Sequence, residues 1–274
     1  MTPIRRSIWA ALPLAVLLVA GCATPPSPTA APAAAAVSAA ERQLLAPTGK
    51  LRVGVYLGSP TSLVRDATGQ ARGVSVEIGR ALAQRLGVPY EQVEFPRLAL
   101  VLDALKAGQV DFTVTNATPA RAVDMNFTPP LVLLELGYLA LPDSRVQTMA
   151  DVDHAGVRIG VSQGSTSQGT LGRLYKSAEV VPTTSLQAAG EMLRSRQIDA
   201  FATNKGILFE MTDRLPGARV LPGNWGLEQL AIAIPKGREA GMDAVRRFAD
   251  QVKADGSVQR AAERAGLRGT APAR

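Results

Sequence analysis

Residues 105–116, LKAGQVDFTVTN, recur with five identities as residues 193–204, LRSRQIDAFATN. In both copies the end of an amphipathic segment runs into a strand-like stretch of β-branched and apolar residues. The repeat therefore marks the same helix-to-strand step twice, since a helical period gives way to a strand in each copy. Recurrence at the same step of two similar units predicts two lobes of like topology.

Short apolar runs alternate with amphipathic segments around both copies of the repeat. The first unit is predicted to contain strands at 51–55, 93–95 and 110–115 and helices at 76–86 and 98–106. The second is predicted to contain strands at 157–161, 180–181 and 198–203 and helices at 170–177 and 186–194. Alternating strands and helices are typical of an α/β fold in which a mostly parallel sheet is covered by helices.

Two similar apolar strands connect the units. The stretch GYLALP at 137–142 leaves the first unit, and LAIAIP at 230–235 leaves the second. Two crossings of this kind predict a double-strand hinge about which the lobes close. The predicted boundaries are 50–141 together with 231–274 for lobe 1 and 142–230 for lobe 2, with the C-terminal helices returning to lobe 1.

The N-terminus has the pattern of an export signal. Two arginines precede an apolar run that ends at Gly21 and Cys22, and the run is shorter than the roughly 20 residues of a membrane span. Residues 1–21 are predicted to be a cleaved signal peptide. The stretch LVAGC at 18–22 resembles the lipobox of bacterial lipoproteins, which implies lipidation of Cys22; an incidental cysteine beside an ordinary signal is the alternative. Residues 22–49 are predicted to form an Ala/Pro-rich tether.

Composition excludes several classes of function. Removing the two arginines of the signal peptide leaves 28 of the 30 basic residues against 23 acidic ones, and the arginines are scattered rather than clustered. This distribution argues against a nucleic-acid surface. The one histidine, His154, is predicted to lie in a surface loop, and no His/Cys/carboxylate cluster suggests a metal. Neither a cofactor nor a metal site is predicted.

Candidate ligand-binding residues follow the strand that ends at Asn116. In open α/β sheets ligands lie beyond the carboxyl ends of the strands. Thr118 suits an N-cap and Pro119 the first helical position, so a short helix should begin there. Arg121 adds a planar guanidinium suited to a carboxylate or phosphonate. The alternative is a capped helix with a surface arginine.

The corresponding place in the second unit is the stretch SQGSTSQG at 162–169. Its glycines allow the backbone to approach a ligand closely, and Ser165 and Thr166 supply hydroxyl and N–H groups at the next helix start. The stretch lacks the lysine of a phosphate-binding P-loop. A flexible turn without a ligand is the alternative.

An ordered set of motifs resembles one family. It comprises LRVGV at 51–55, GVSVE at 73–77, the G-x-V-D stretch at 108–111, the T-P-x-R turn at 118–121, residues 164–166 and 198–200 in the second unit, and the late A-D-G stretch at 254–256. Over residues 50–268 the chain resembles the bacterial extracytoplasmic solute-binding proteins of family 3, the polar amino-acid type, in a lipoprotein form. The resemblance implies the type II periplasmic-binding-protein fold. It also implies a lipid-anchored periplasmic monomer that captures an amino acid or small organic anion for an ABC permease of the inner membrane.

The resemblance also assigns roles to residues. Arg121 would bind the ligand carboxylate, assisted by the backbone near Thr118 and, across the cleft, by Ser165 and Thr166. The family usually has an acidic residue, which pairs with a ligand ammonium, where this chain has Asn204. Glu228 beside the second hinge strand is the candidate replacement for that acid.

Other departures from the family keep the ligand open. Aromatic residues are few, and Tyr56 is the one candidate for stacking on a ligand. Asn116 and Asn204 facing one cleft would instead suit a hydroxyl-rich or amide ligand.

An enzyme on the same fold, similar to cyclohexadienyl dehydratase, is the alternative function. It would need a general acid with a tuned pKa in the cleft. Glu77 and Glu228 are the candidates for that acid, although Glu77 also suits the first turn of a helix. The sequence favours a binding protein over an enzyme.

Overall fold

The computed structural model describes residues 37–271. Up to the first hinge strand its elements are α1 (Ala39–Leu45), β1 (Leu51–Tyr56), β2 (Val64–Arg65), β3 (Ala71–Arg72), α2 (Val74–Leu86), β4 (Tyr90–Phe95), α3 (Leu98–Lys106), β5 (Thr113–Asn116), α4 (Pro119–Ala122), β6 (Met125–Phe127) and β7 (Val132–Ala140). After it come β8 (Arg158–Ser162), α5 (Thr166–Leu174), β9 (Glu179–Thr183), α6 (Leu186–Arg194), β10 (Ala200–Asn204), α7 (Lys205–Thr212), β11 (Arg219–Val220), β12 (Gly226–Pro235), α8 (Met242–Ala254), α9 (Ser257–Arg264) and β13 (Thr270–Ala271). Within this range no helix is long and apolar enough to cross a bilayer.

The first lobe is built on β1 and its neighbours. Strand β1 pairs in parallel with β4, and a single bridge from Val53 to Phe112 leads on towards β5. Helix α2 covers β1 with an apolar stripe and ends at Gly87, whose left-handed φ of 66° closes the last turn. The C-terminal helices α8 and α9 pack into the same core.

The second lobe is a parallel arrangement of β9, β8 and β10, in that order. Helix α6 begins at its N-cap Ser185, whose side chain accepts a hydrogen bond from the Ala188 N–H. Apolar residues of α6 and α7 pack together beneath β10. The predicted βαβαβ order of this lobe is therefore present.

The sequence repeat corresponds to a structural repeat. The Asp111 carboxylate accepts hydrogen bonds from the backbone N–H of Arg52, at 2.9 Å, and from its guanidinium, at 2.7 Å. In the second copy Asp199 accepts from the backbone N–H of Arg158 at 2.8 Å and from its guanidinium at 3.3 Å. Each aspartate thus ties the connection between a helix and the next strand to the first strand of its own lobe, which gives a structural reason for the repeat.

Strands β7 and β12 carry the chain between the lobes. The first half of β7 pairs with β12, and from Leu136 onward β7 pairs with β10 of the second lobe. Strand β12 turns to pair with β5 of the first lobe at Leu230. This pairing groups residues 137–140 with the second lobe, earlier than the predicted boundary at 141, because β7 is one uninterrupted strand. The second crossing, from β12 onto β5, begins at Leu230.

The globular body begins before the predicted end of the tether. Residues 39–45 form α1, whose N-cap Ser38 and Glu41 bond each other's backbone N–H groups in a capping box. Leu45 is buried against Gly241. The predicted signal peptide, Cys22 and the tether up to residue 36 lie outside the described residues.

The chief element that the sequence prediction missed is α7, which follows β10 directly. Asn204 ends the strand and caps the helix, accepting a hydrogen bond from the Ile207 N–H at 3.1 Å. Helix α5 also begins earlier than predicted, at Thr166, with Ser165 as its N-cap. Both helices therefore start at the edge of the sheet where ligands are expected.

Close packing of α2 on β1 depends on Gly79. A Cβ at this position would lie 2.7 Å from a methyl group of the fully buried Val53. Gly79→Ala should lower the free energy of unfolding by about 1–3 kcal/mol, since the helix must move off the strand. Gly172→Ala in α5 is the matched control, because its Cβ would meet no atom within 4 Å. Equal unfolding midpoints of the two variants in urea would contradict the prediction.

Candidate ligand-binding site

A small cavity lies between the two lobes at the predicted edge of the sheets. Its volume is about 20 Å³, roughly enough for one water molecule. Its walls come from both lobes and from the hinge: Tyr56, Thr61, Leu98, Val114, Thr115, Asn116, Arg121, Ser162, Ser165, Thr203, Asn204, Ile207, Glu228 and Leu230. A larger solute can reach these side chains only when the lobes part.

Arg121 is the positive charge of the cavity. Thr118 caps the short helix α4 by accepting a hydrogen bond from the Arg121 N–H at 3.2 Å, which fixes where the side chain leaves the backbone. The guanidinium donates to the Thr115 hydroxyl at 3.0 Å and to the Asn116 carbonyl at 3.1 Å. Burial lowers the pKa of Arg121, an effect opposed by the charge of Glu228. A guanidinium stays protonated despite such a shift.

Glu228 is the negative charge. It is 7% exposed and occupies an inward-facing position of β12, where an apolar residue would be usual. Its Oε1 accepts a hydrogen bond from the Thr166 hydroxyl, and its Oε2 accepts one from the Asn204 amide, both at 3.0 Å. Burial raises the pKa of Glu228, whereas the charge of Arg121 and these two hydrogen bonds lower it.

The side-chain amides of the two asparagines of the repeat form hydrogen bonds with neighbouring protein groups. Asn116 accepts a hydrogen bond from the Gln229 N–H at 2.8 Å and donates to the Thr166 hydroxyl at 3.2 Å. Asn204 caps α7 through its Oδ1 and donates to Glu228 through its Nδ2. Both amides line the cavity, and both position neighbouring polar groups.

Tyr56 closes one side of the cavity at the end of β1. Burial raises the pKa of its hydroxyl to about 12, partly offset by hydrogen bonds with Ser59 and Thr61. The phenol therefore stays neutral and offers a hydrogen bond and an aromatic face.

The lobes touch directly above the cavity. Arg121 donates to the Gly164 carbonyl of the second lobe at 3.3 Å, and Asn116 reaches Thr166 across the same gap. A Cβ at Gly164 would lie 2.7 Å from the Cβ of Ala99, and the φ of Gly164 is +75°. Glycine is required at this contact by both its backbone conformation and the close approach.

Comparison with known protein families identifies the chain. Residues 51–266 match the family model described as bacterial extracellular solute-binding proteins, family 3. The chain belongs to this family. The match spans both lobes and the hinge, which confirms the predicted family and the two-lobed α/β fold.

Individual relatives of this family 3 protein are distant. The glutamine-binding protein of Geobacillus stearothermophilus is 24% identical over 245 residues, covering 84% of this chain and 92% of that protein. The structure of the solute receptor for L-cysteine of Neisseria gonorrhoeae is 25% identical, with a TM-score of 0.72, over 82% of this chain and 92% of that one. An ancestral amino acid-binding protein, described as a precursor of cyclohexadienyl dehydratase, is 24% identical, with a TM-score of 0.70, over 81% and 98% of the two chains.

The structure brings together most of the predicted site residues of this solute-binding protein. Six of the eight line the cavity: Tyr56, Asn116, Arg121, Ser165, Asn204 and Glu228. The other two support them, Thr118 by capping the helix of Arg121 and Thr166 by donating to Glu228. Thr115, Thr203 and Ile207 also line the cavity and were not predicted, although the strand-end rule could have found the two threonines.

The candidate acid Glu77 and the one histidine lie outside the cavity. Glu77 sits on α2 and pairs with Arg264 of α9. His154 is exposed in a loop, as predicted, with its Nε2 beside the Ala150 carbonyl. Within residues 37–271 no group of three or more His, Cys, Asp or Glu side chains could hold a metal ion.

Proposed function

We propose that this chain is the substrate-binding protein of an ABC importer and captures a small carboxylate-bearing solute, an amino acid or a related organic anion, between its lobes. One observation carries the proposal. Arg121 and Glu228 place opposite charges on the same interlobe cavity. The Arg121 guanidinium donates a hydrogen bond to a neighbouring hydroxyl, and the Glu228 carboxylate accepts hydrogen bonds from two neighbouring side chains. A zwitterion would direct its carboxylate to Arg121 and its ammonium to Glu228.

Asn204 has a defined part in this scheme. It stands where the family usually has the acid that pairs with a ligand ammonium. Its amide donates to Glu228, so that the negative charge comes from the hinge strand instead. The glutamine- and cysteine-binding relatives support amino acids as the ligand class.

Capture follows from closure of the lobes. The open form exposes Arg121 on one lobe and the Ser165 turn on the other, and a ligand contacts both only when the lobes close, so these contacts favour the closed form. Exclusion of water strengthens the charge-assisted hydrogen bonds. The ligand shifts the equilibrium only by its differential affinity for the two forms. With a ligand inside, the lobes stand farther apart than around the 20 Å³ cavity.

The proposed setting is the periplasm. There the mature chain is a monomer, anchored by a lipid on Cys22, and delivers its ligand to a permease of the inner membrane. Mass spectrometry of the membrane fraction tests the anchor: acylated Cys22 would support it, and a soluble mature chain with an unmodified thiol would refute it.

A thermal-shift screen of the mature chain carrying Cys22→Ser tests the function. The panel holds amino acids, dicarboxylates, hydroxy acids, phosphonates and prephenate. A ligand present at 100 times its Kd adds about 2.7 kcal/mol of stability, which gives a clear shift. We expect the largest shifts from α-amino acids. A panel in which no carboxylate raises the Tm would contradict the proposed function.

A second candidate is an enzyme of the cyclohexadienyl dehydratase kind. It is favoured by Glu228, a buried carboxyl group with a raised pKa that lines the cavity, as a general acid requires. Proton NMR of each screening hit after incubation separates the candidates. A hit that stays unchanged supports binding, and a hit that is consumed supports catalysis.

A further inference from the structure

A second cavity lies between the lobes beside the small one. Its volume is about 490 Å³. Leu57, Gly58 and Pro96 form its first-lobe wall, and the second-lobe wall comes from α6 and α7 and their flanking residues: Ser185, Leu186, Gln187, Gly190, Arg194, Glu210, Met211, Arg214 and Leu215. The volume falls in the range of small-molecule sites, about 300–1,000 Å³.

The two cavities are neighbours with separate linings. Tyr56 lines the small cavity, and the next residue, Leu57, lines the large one. On α7, Ile207 faces the small cavity and Met211, one turn later, faces the large one. Arg121 and Glu228 line only the small cavity, so a ligand in the large cavity would be bound by other side chains.

The body of the large cavity is apolar. Leu57, Leu186, Met211 and Leu215 present hydrocarbon surface from both lobes. Leu57 remains 48% exposed with the lobes in contact. Apolar surface enclosed on several sides favours a ligand with an apolar body.

The rim of the cavity is positive. Arg214 pairs with Glu210 at 2.5 Å. Arg194 donates to the Arg214 carbonyl at 3.4 Å, a neutral partner. The lining thus carries two guanidinium groups and one carboxylate, and because Arg214 pairs with that carboxylate, the charge of Arg194 remains available to an anion.

We propose that this cavity binds a small amphipathic carboxylate and that the occupant stabilises lobe closure. The apolar body would lie against Leu186 and Met211, and the carboxylate would meet Arg194. The lobes meet at this cavity, because a Cβ on Gly58 would lie 3.1 Å from Leu186. An occupant that contacts both walls binds the closed form better than the open one, so it shifts the population towards closure.

Gly190 provides a test of the binding half. It lies on the cavity wall, and a Cβ there would meet only Leu215, at 3.8 Å, so a larger side chain can extend into the cavity. The probes are 4-phenylbutyrate and its neutral analogue 4-phenylbutanol, measured by calorimetry on the mature chain carrying Cys22→Ser. Gly190→Leu should weaken 4-phenylbutyrate binding by about 10-fold or more, since it removes the space the probe occupies. Gly172→Leu in α5, where the position is open, should leave the affinity unchanged.

Arg194→Ala tests the charge independently of any filled space. The substitution should lower the affinity for 4-phenylbutyrate by about 10-fold, a difference of 1.4 kcal/mol in binding free energy. The affinity for 4-phenylbutanol should stay unchanged. The proposed site would be overturned if neither probe bound the parent protein. It would also be overturned if Gly190→Leu bound 4-phenylbutyrate as tightly as the parent, or if Gly190→Leu and Gly172→Leu lost the same affinity. Equal effects of Arg194→Ala on both probes would overturn its anionic character.

Small-angle X-ray scattering tests the closure half. Saturating 4-phenylbutyrate should reduce the radius of gyration of the parent protein and not that of Gly190→Leu. A reduction of the same size in both proteins, or none in the parent, would overturn the coupling to closure.

Discussion

The Arg121→Ala protein is expected to lose about 30-fold or more in affinity for the carboxylate that gives the largest thermal shift. Removing one partner of a buried, hydrogen-bonded charge pair costs about 2–5 kcal/mol, because the other charge stays desolvated without its partner. In this site the charge left without its partner would be the carboxylate of the bound ligand, so the cost appears as lost affinity. Calorimetric titration of the mature chain measures it directly.

Two further variants serve as controls for Arg121→Ala. Arg121→Lys keeps the charge and loses the planar fork that reaches Thr115 and Gly164, so its affinity should lie between those of the parent and the alanine variant. Arg173→Ala removes an exposed arginine of α5 and should bind normally. Parent-like affinity of Arg121→Ala, with an unchanged Tm, would show that the ligand does not use this guanidinium.

Much of the fold is predictable because local signals agree with the tertiary arrangement. The predicted helices at 98–106 and 186–194 have the bounds of α3 and α6. In each case a turn signal and an apolar stripe mark the same segment. The repeated aspartates were visible as sequence identities, and the structure supplies their reason in the bonds to Arg52 and Arg158.

The differences have local causes. The Ala/Pro-rich composition before residue 45 hides α1, although the capping-box spacing of Ser38 and Glu41 was a usable signal. Helix α7 begins directly after the last residue of β10, with no turn between them to separate two patterns. Both helices form through packing against the rest of the fold, although composition and periodicity give only weak helix signals in their sequences.

The site was predictable only as far as the strand-end rule reaches. That rule placed Asn116, Arg121 and Ser165 just beyond the ends of strands, and all three line the cavity. It does not give side-chain direction, so the bond from Asn204 to Glu228 needed the structure. The large cavity was beyond the sequence, because residues such as Leu57 and Met211 meet only through the relative placement of the two lobes.

Glu228→Gln should separate ligand affinity from stability. For an α-amino acid the variant should lose about 30-fold or more, equivalent to about 2 kcal/mol, because it removes the partner of the ammonium. The amide has nearly the shape of the carboxylate and can still accept from Asn204, so the fold should persist. Glu135→Gln on the adjacent strand β7, where the glutamate pairs with Lys205 at 2.5 Å, is the matched control and should bind normally.

The pH dependence gives an independent readout of the same carboxyl group. Burial raises its pKa above the ordinary value of 4.5, so the folded protein holds the proton more tightly than the unfolded chain. The stability of the ligand-free parent should therefore fall as pH rises from 4.5 through the raised pKa, and Glu228→Gln should lack this component. At about pH 8 the variant should melt no lower than the parent without ligand. Amino acid binding should show the opposite trend: it should weaken in the parent as pH falls through the raised pKa and stay nearly flat in the variant. Identical pH profiles for the two proteins would show that Glu228 neither ionises within this range nor meets the ligand, and the ammonium would then need another partner in the cleft.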